Sequence, residues 1–210
     1  MATTSGWRRR IAVVASASAL GLVPMAAAHA ATIVTLKHDA VGSSYIKKTK
    51  STVELKATTL TTDLDIDTGD FTGSLPLPGT STEFKAAGFL PVKANVDFIP
   101  AGPVTGHIDL TQTQAQVNAT ATYYVKLSNI RIVGFPTFTG SNCKTAAPVS
   151  IPVGTPADEG FDIIAGGNLT GTYTIGSFAN CGLNTGLINA LVPGGGNTVS
   201  IQASNGVVVE

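Results

Sequence analysis

Val92-Lys93-Ala94-Asn95-Val96-Asp97-Phe98 alternates apolar and polar side chains without a break. A repeat of two belongs to an extended chain, which sends successive side chains to opposite faces. The repeat returns at Val117, Ala119, Ala121, Tyr123, Val125 and Leu127, and then jumps to even positions at Ile130 and Ile132. A one-residue slip exchanges the two faces of a strand. The jump therefore predicts a bulge or bend near Ser128-Asn129, within one long strand or between two that turn a corner. Ser51–Ala57, Leu60–Asp67 and Glu83–Ala86 also read as strands, with Pro76, Pro78 and Gly79 breaking the pattern before the last. Even apolar positions resume at Ile108 and Leu110 beyond Pro100-Ala101-Gly102-Pro103, so Leu90 to Leu110 reads as an antiparallel hairpin.

The C-terminal part continues in the same manner. Val149–Val153 is punctuated by proline and is placed on a sheet edge. Phe161–Ala165 and Asn168–Ile175 are expected strands around Gly166-Gly167, and Thr198–Ala203 is a last one. Leu183, Leu187, Ile188 and Leu191 fall on one face of a helix over residues 183–191, stopped by Pro193-Gly194-Gly195-Gly196. The expected fold is all-β: an antiparallel β-sandwich or barrel with one short C-terminal helix and one disulfide.

Arg8, Arg9 and Arg10 precede an apolar, Ala-rich run from Ile11 to about Ala28, and Ala28-His29-Ala30 offers a small-x-small cleavage site. This is the layout of a secretory signal peptide over 1–30, leaving a single β domain over 31–210 outside the cytoplasm. A membrane anchor fits less well, because Ser16, Ser18, Gly21 and Pro24 interrupt the run. The arginines suit either general export or the twin-arginine route. They account for three of the 13 basic residues, leaving ten against 13 acidic ones, with Arg131 the only arginine. So few clustered cations argue against nucleic acid and against a polybasic membrane patch.

Two cysteines, Cys143 and Cys181, are expected to pair in an oxidising compartment. The alternative, a redox or metal role, lacks a C-x-x-C spacing or a neighbouring histidine. The acidic run Asp63, Asp65, Asp67 and Asp70 is the sharpest local feature. Hard carboxylate oxygens suit Ca²⁺, but an EF-hand loop needs Gly sixth and Glu twelfth, where this chain has Thr68 and Ser74. The favoured reading is a solvated strand face neutralised by lysines such as Lys47, Lys48 or Lys50, and an ad hoc Ca²⁺ site is the alternative. His107 and Asp109 share a strand face and form the nearest thing to an Asp–His pair; His38 is the other histidine beyond residue 30. No motif of a serine hydrolase, zinc helix or phosphate loop accompanies them, and no cofactor is implied. Tyr123 and Tyr124 must face opposite ways, and Phe135 and Phe138 near the bend are candidates to line an apolar mouth.

Val133–Pro136, Gly140-Ser141-Asn142-Cys143-Lys144-Thr145, Gly166–Tyr173, Asn180-Cys181-Gly182, Leu187–Leu191 and Pro193–Thr198 together resemble a family of secreted actinobacterial proteins of unknown function. The resemblance spans about Leu75–Ala203. It implies export and a disulfide-stapled β domain, and supplies no catalytic residues. The sequence thus predicts a secreted or envelope-associated, non-enzymatic protein with a structural or interaction role. The alternative is a carrier of a small, lipid-like molecule held between sheets, and a hydrolase using His107 and Asp109 ranks third. Expected partners are cell-envelope components or an apolar small molecule. Mass spectrometry of the exported chain should return the mass of Ala31–Glu210 less two hydrogens; a thiol that reacts before reduction would refute the pairing.

Overall fold

Period-two alternation builds thirteen antiparallel strands in this computed structural model, which describes residues 31–86, 88–112 and 114–209. The expected signal segment lies outside the described residues. Residues Ala31–Glu210 cluster as one compact unit. In chain order the first strands are β1 (Ile33–Ile46), β2 (Ser51–Asp65), β3 (Asp70–Ser74), β4 (Thr80–Ala86), β5 (Leu90–Pro100), β6 (Val104–Asp109) and β7 (Gln116–Ile132). Two-residue β8 (Phe135–Pro136) and β9 (Lys144–Thr145) precede β10 (Val149–Gly154), β11 (Gly166–Ile175) and β12 (Phe178–Ala179). A single 3₁₀ turn (Gly182–Asn184) leads into α1 (Thr185–Leu191), and β13 (Gly194–Val209) closes the chain.

The sheet curls into a barrel. Neighbours run β11, β13, β1, β2, β3, β6, β7, and β10 then bridges β7 back to β11, giving a ring of eight strands. Below, the lower end is where β1 starts and the upper end is where it stops. In the upper half β5 takes over from β6 alongside β7, with β4 as its outer neighbour. The open side between β4 and β2 is bridged by Thr82 Oγ1 donating to Thr52 O at 3.3 Å and Lys56 Nζ donating to Gly79 O at 2.7 Å.

The bulge expected near Ser128-Asn129 is present. Asn129 takes a left-handed φ of 48°, and the β5–β7 register slips between Lys93 and Asn95. Asparagine tolerates that conformation better than most residues. Val117, Tyr123, Val125 and Leu127 are buried before the slip, and Ile130 after it. Ser51–Ala57 and Leu60–Asp67 are one strand rather than two. A second bulge, opposite Val41, carries the phase change from Val53 and Leu55 to Leu64 without ending β2.

Four expectations need correction. Leu90–Leu110 is not a hairpin, because β5 and β6 both pair antiparallel to β7 along the same side. Pro100–Pro103 interrupts one line instead of reversing it, which is why the apolar phase is unchanged across it. Val149–Val153 is not an edge, since β10 makes six rungs with β7 and closes the ring. It approaches β11 so closely that a Cβ on Gly171 would run into the Pro152 carbonyl. Phe161–Ala165 is a turn segment, because Asp162 Oδ1 accepts from Ile164 N at 2.8 Å and from Ala165 N at 2.6 Å and folds the chain back. Finally, Leu183 lies outside the helix face and is 92 % exposed, although Ile188 is buried as expected.

Cys143 and Cys181 form the expected disulfide, both fully buried. Closing 38 residues of chain contributes roughly 4 kcal/mol in the chain-entropy view. Two apolar clusters line the barrel, one around Val96, Leu127 and Phe178, the other around Leu36, Ile108 and Leu169. Buried Asn197 ties the upper rim together: its Oδ1 accepts from Lys47 N (3.1 Å), and its Nδ2 donates to Gly194 O (2.9 Å) and Tyr173 O (3.3 Å). Asn197→Ala leaves these groups unpaired and should lower stability by about 3 kcal/mol. Urea unfolding should show it as a lower midpoint at unchanged slope.

Candidate functional site

The acidic run is not gathered into one site. Asp63 accepts from Thr35 Oγ1 at 2.7 Å, and Asp65 Oδ1 from Asp67 N at 2.9 Å. Asp67 Oδ2 accepts from Thr32 N at 3.1 Å, and Asp70 Oδ1 lies 2.9 Å from His107 Nδ1. β2 ends at Asp65, so Asp67 sits in a turn and Ile66 is exposed. Each carboxylate is committed to a different partner. Among the described residues no group of three or more His, Cys, Asp or Glu is placed to hold a metal ion. Lys47, Lys48 and Lys50 do not neutralise the run, because they belong to the β1–β2 turn at the other end of the hairpin.

His107 and Asp109 are not a pair either. His107 bonds across the ladder to Asp70, and both side chains are more than half exposed. Asp109 folds onto Thr111 Oγ1 (2.6 Å), Gln112 Nε2 (2.7 Å) and Thr111 N (3.0 Å). The hydrogen bond from the Thr111 side chain, then that from Gln112, hold its carboxyl below the ordinary range. Tyr123 and Tyr124 do face opposite ways: Tyr123 is buried, while the Tyr124 ring carries Lys144 Nζ at 4.3 Å. Phe135 and Phe138 line no mouth; both project into solvent at the upper end.

What the fold builds instead lies inside it. The lower half encloses a cavity of about 100 Å³, walled by Leu36, Leu64, Leu75, Ala119 and Leu169 among others. A second, of about 90 Å³, lies above it between Val53, Ala94, Leu127, Ile175 and Ile188. Ser44, Phe98 and Tyr173 line both and form the partition. Ser44 Oγ donates to Thr198 O at 2.9 Å, so at 2.7 Å it accepts from Tyr173 OH. Burial raises the pKa of the Tyr173 hydroxyl, and the Ser44 bond acts in the opposite direction. Phe98 meets Tyr123 edge-on at 6.3 Å.

Both ends are capped. Below, Phe161 and Ile163 from the segment between β10 and β11 line the lower cavity. That segment is fixed by Phe161 N to Ala115 O (2.9 Å) and Gly206 N to Ile164 O (2.7 Å). The backbone bonds from Ala165, then Ile164, hold the Asp162 carboxyl below its ordinary range. Above, Leu187, Ile188 and Leu191 of α1 line the upper cavity. Asn189 clamps the helix to β12, accepting from Phe178 N at 2.7 Å and donating to Phe178 O at 2.9 Å.

His38 is the one strongly polar side chain in the lower wall, only 3 % exposed. A carbonyl can only accept, so the 2.8 Å contact with Ile163 O places a proton on Nε2. Nδ1 is buried and has, among the described residues, no hydrogen-bond partner. Sequence reasoning missed β1 and with it His38. Its inward positions carry His38 and Ser44 where the pattern demands apolar residues.

No family model, curated protein or solved structure matches the chain.

Tyr123 OH donates to Leu75 O at 2.6 Å, and desolvation pushes its pKa up to about 12. The folded value exceeds that of a free tyrosine, so this contribution to stability is intact below about pH 10 and is lost as pH climbs toward 12. Tyrosinate absorbance should show a late-titrating component that Tyr123→Phe removes. Unchanged alkaline titration in that variant would contradict the burial.

Proposed function

We propose that this protein is an exported carrier of a small apolar molecule bearing one hydrogen-bond donor. The observation that carries the reading is the pair of capped, apolar cavities in line along the barrel. Protein interiors pack as densely as organic crystals and hold few voids larger than a water. A void of this size costs about 2 kcal/mol if it stays empty, at roughly 24 cal/mol per Å³. A cargo that fills it recovers that loss. Barrels of about eight strands are wide enough for one small ligand.

The unpartnered Nδ1 of His38 supports the donor-bearing class. A hydroxyl or un-ionised carboxylic acid that displaces the side chains covering Nδ1 satisfies it, whereas a plain hydrocarbon leaves it orphaned. The layout of residues 1–30 and the buried disulfide support an extracellular or envelope setting, where disulfides persist. Among the described residues no helix is long and apolar enough to cross a membrane. A purely structural role has no use for the two cavities.

Decanol and decane separate these readings. Decanol at about a hundred times its Kd should add roughly 2.7 kcal/mol, raising Tm of residues 31–210 by several degrees. Decane should do less, and His38→Phe should erase the difference between the two. Ala119→Leu, which fills the lower cavity, should weaken decanol binding at least tenfold without lowering Tm. No effect of decanol on Tm, with no adduct on protein isolated from its host, would sink the carrier reading.

A further inference from the structure

We propose that the upper end of the barrel is a docking surface for a membrane bearing anionic lipid headgroups. Among the described residues, the strongly exposed phenylalanine rings are confined to that end. Phe89 tips the β4–β5 turn, Phe135 follows the β7–β8 turn, and Phe138, 87 % exposed, belongs to a segment whose backbone approaches Gly182, the neighbour of exposed Leu183. These residues come from separate segments that the fold stitches together. Val133 N donates to Pro91 O at 2.9 Å, joining the first two turns. Asn184 Nδ2 donates to Thr139 Oγ1 at 3.3 Å, joining the Phe138 segment to the turn before α1. Large exposed apolar side chains gathered at one end mark an interaction surface.

Charge decides what it meets. The upper half carries Lys47, Lys48, Lys50, Lys85, Lys126, Arg131 and Lys144, against Glu54, Asp97 and Glu83, the last neutralised by Lys93 at 2.7 Å. Lys85 and Arg131 share one shallow surface groove with the Glu83–Lys93 pair and Gly134, between the turns that present Phe89 and Phe135. The lower half gathers Asp63, Asp65, Asp67, Asp109, Asp158 and Asp162, with Lys37 as its lysine. That end also exposes Ile33, Ile66, Ile164 and Val207, but as aliphatic side chains among carboxylates, which an anionic surface repels.

Aromatic tips within a basic ring are the combination that sits at a headgroup boundary: rings enter the interface and cations pair with anionic lipid. A second copy of this chain fits poorly, because face-to-face association would bring two basic ends together. The face also adjoins the cargo space. Leu187 is exposed on the outside of α1 and still lines the upper cavity, so a lipid surface that engages α1 touches the cap of that cavity.

The test uses residues 31–210 stripped of bound lipid, so it does not depend on the cargo reading; decanol stabilisation and vesicle binding can fail separately. The chain has one tryptophan, Trp7, outside that span. Phe135→Trp therefore introduces a single fluorophore at the proposed contact. With vesicles of phosphatidylglycerol and phosphatidylcholine, its emission should shift to the blue and be quenched by brominated acyl chains. Pure phosphatidylcholine should give a much weaker response, and added salt should reduce the first. The combined variant Phe89→Ser, Phe138→Ser, Leu183→Ser should cut vesicle partitioning at least tenfold at unchanged Tm. Lys85→Glu with Arg131→Glu should remove the preference for phosphatidylglycerol. Emission unmoved by phosphatidylglycerol vesicles, partitioning unaffected by the triple substitution, or a fluorophore shifted by a protein partner and not by lipid would each overturn the proposal.

Discussion

The barrel depends on β7. Its lower half bonds to β6 on one side and β10 on the other, and its upper half bonds to β5 and touches β9. No other strand pairs with so many neighbours, and the ring closes only through it. A closed ladder leaves no free edge over the closed region, which removes the usual route by which sheets aggregate. Closure also has a geometric consequence. A ring of eight strands encloses a space that side chains either fill or leave available to a ligand.

Here the space is divided. Ser44, Tyr173 and Phe98 cross the barrel as a layer, and the Ser44–Tyr173–Thr198 hydrogen bonds fix that layer in place. Buried hydroxyls without partners would be costly, so the chain of donors and acceptors is as necessary to the partition as its apolar contacts. Below the partition His38 has one ring nitrogen satisfied by Ile163 and the other without a partner. The same histidine thereby anchors the lower cap and lines the lower cavity. Changing it affects both, which is why comparing an alcohol with an alkane is more informative than comparing binding before and after substitution alone.

The two proposals describe one molecule with two unlike ends. The upper end joins aromatic tips, cations and a helical cap over a cavity; the lower end is acidic and closed by an Asp162-pinned turn. An apolar cargo in water needs a closed container, and loading from a membrane needs one end to approach lipid. Opposite charge at the two ends also orients the barrel as it approaches an anionic surface.

Much of the local structure was legible from residues alone. Alternation marked most strands, the phase slip located the bulge at Asn129, and an even cysteine count in an export setting marked the disulfide, because each of these signals is local or combinatorial. Misreadings arose where one local signal serves two global arrangements. Pro100–Pro103 punctuates a turn or an interrupted straight line equally well, and a proline-bearing strand looks like an edge until a neighbour such as β7 is found. β1 escaped notice because His38 and Ser44 point inward, where only a folded barrel can say why polar groups are tolerated. The near-balance of charge suggested that no basic membrane patch exists, yet folding places most lysines in one half and most aspartates in the other. The sequence by itself determined an extended, antiparallel, disulfide-linked chain, since side-chain period and cysteine chemistry act over neighbouring residues. Only the tertiary structure decided ring closure, the two cavities and the polarity of the barrel, because those follow from strands distant in sequence meeting in register.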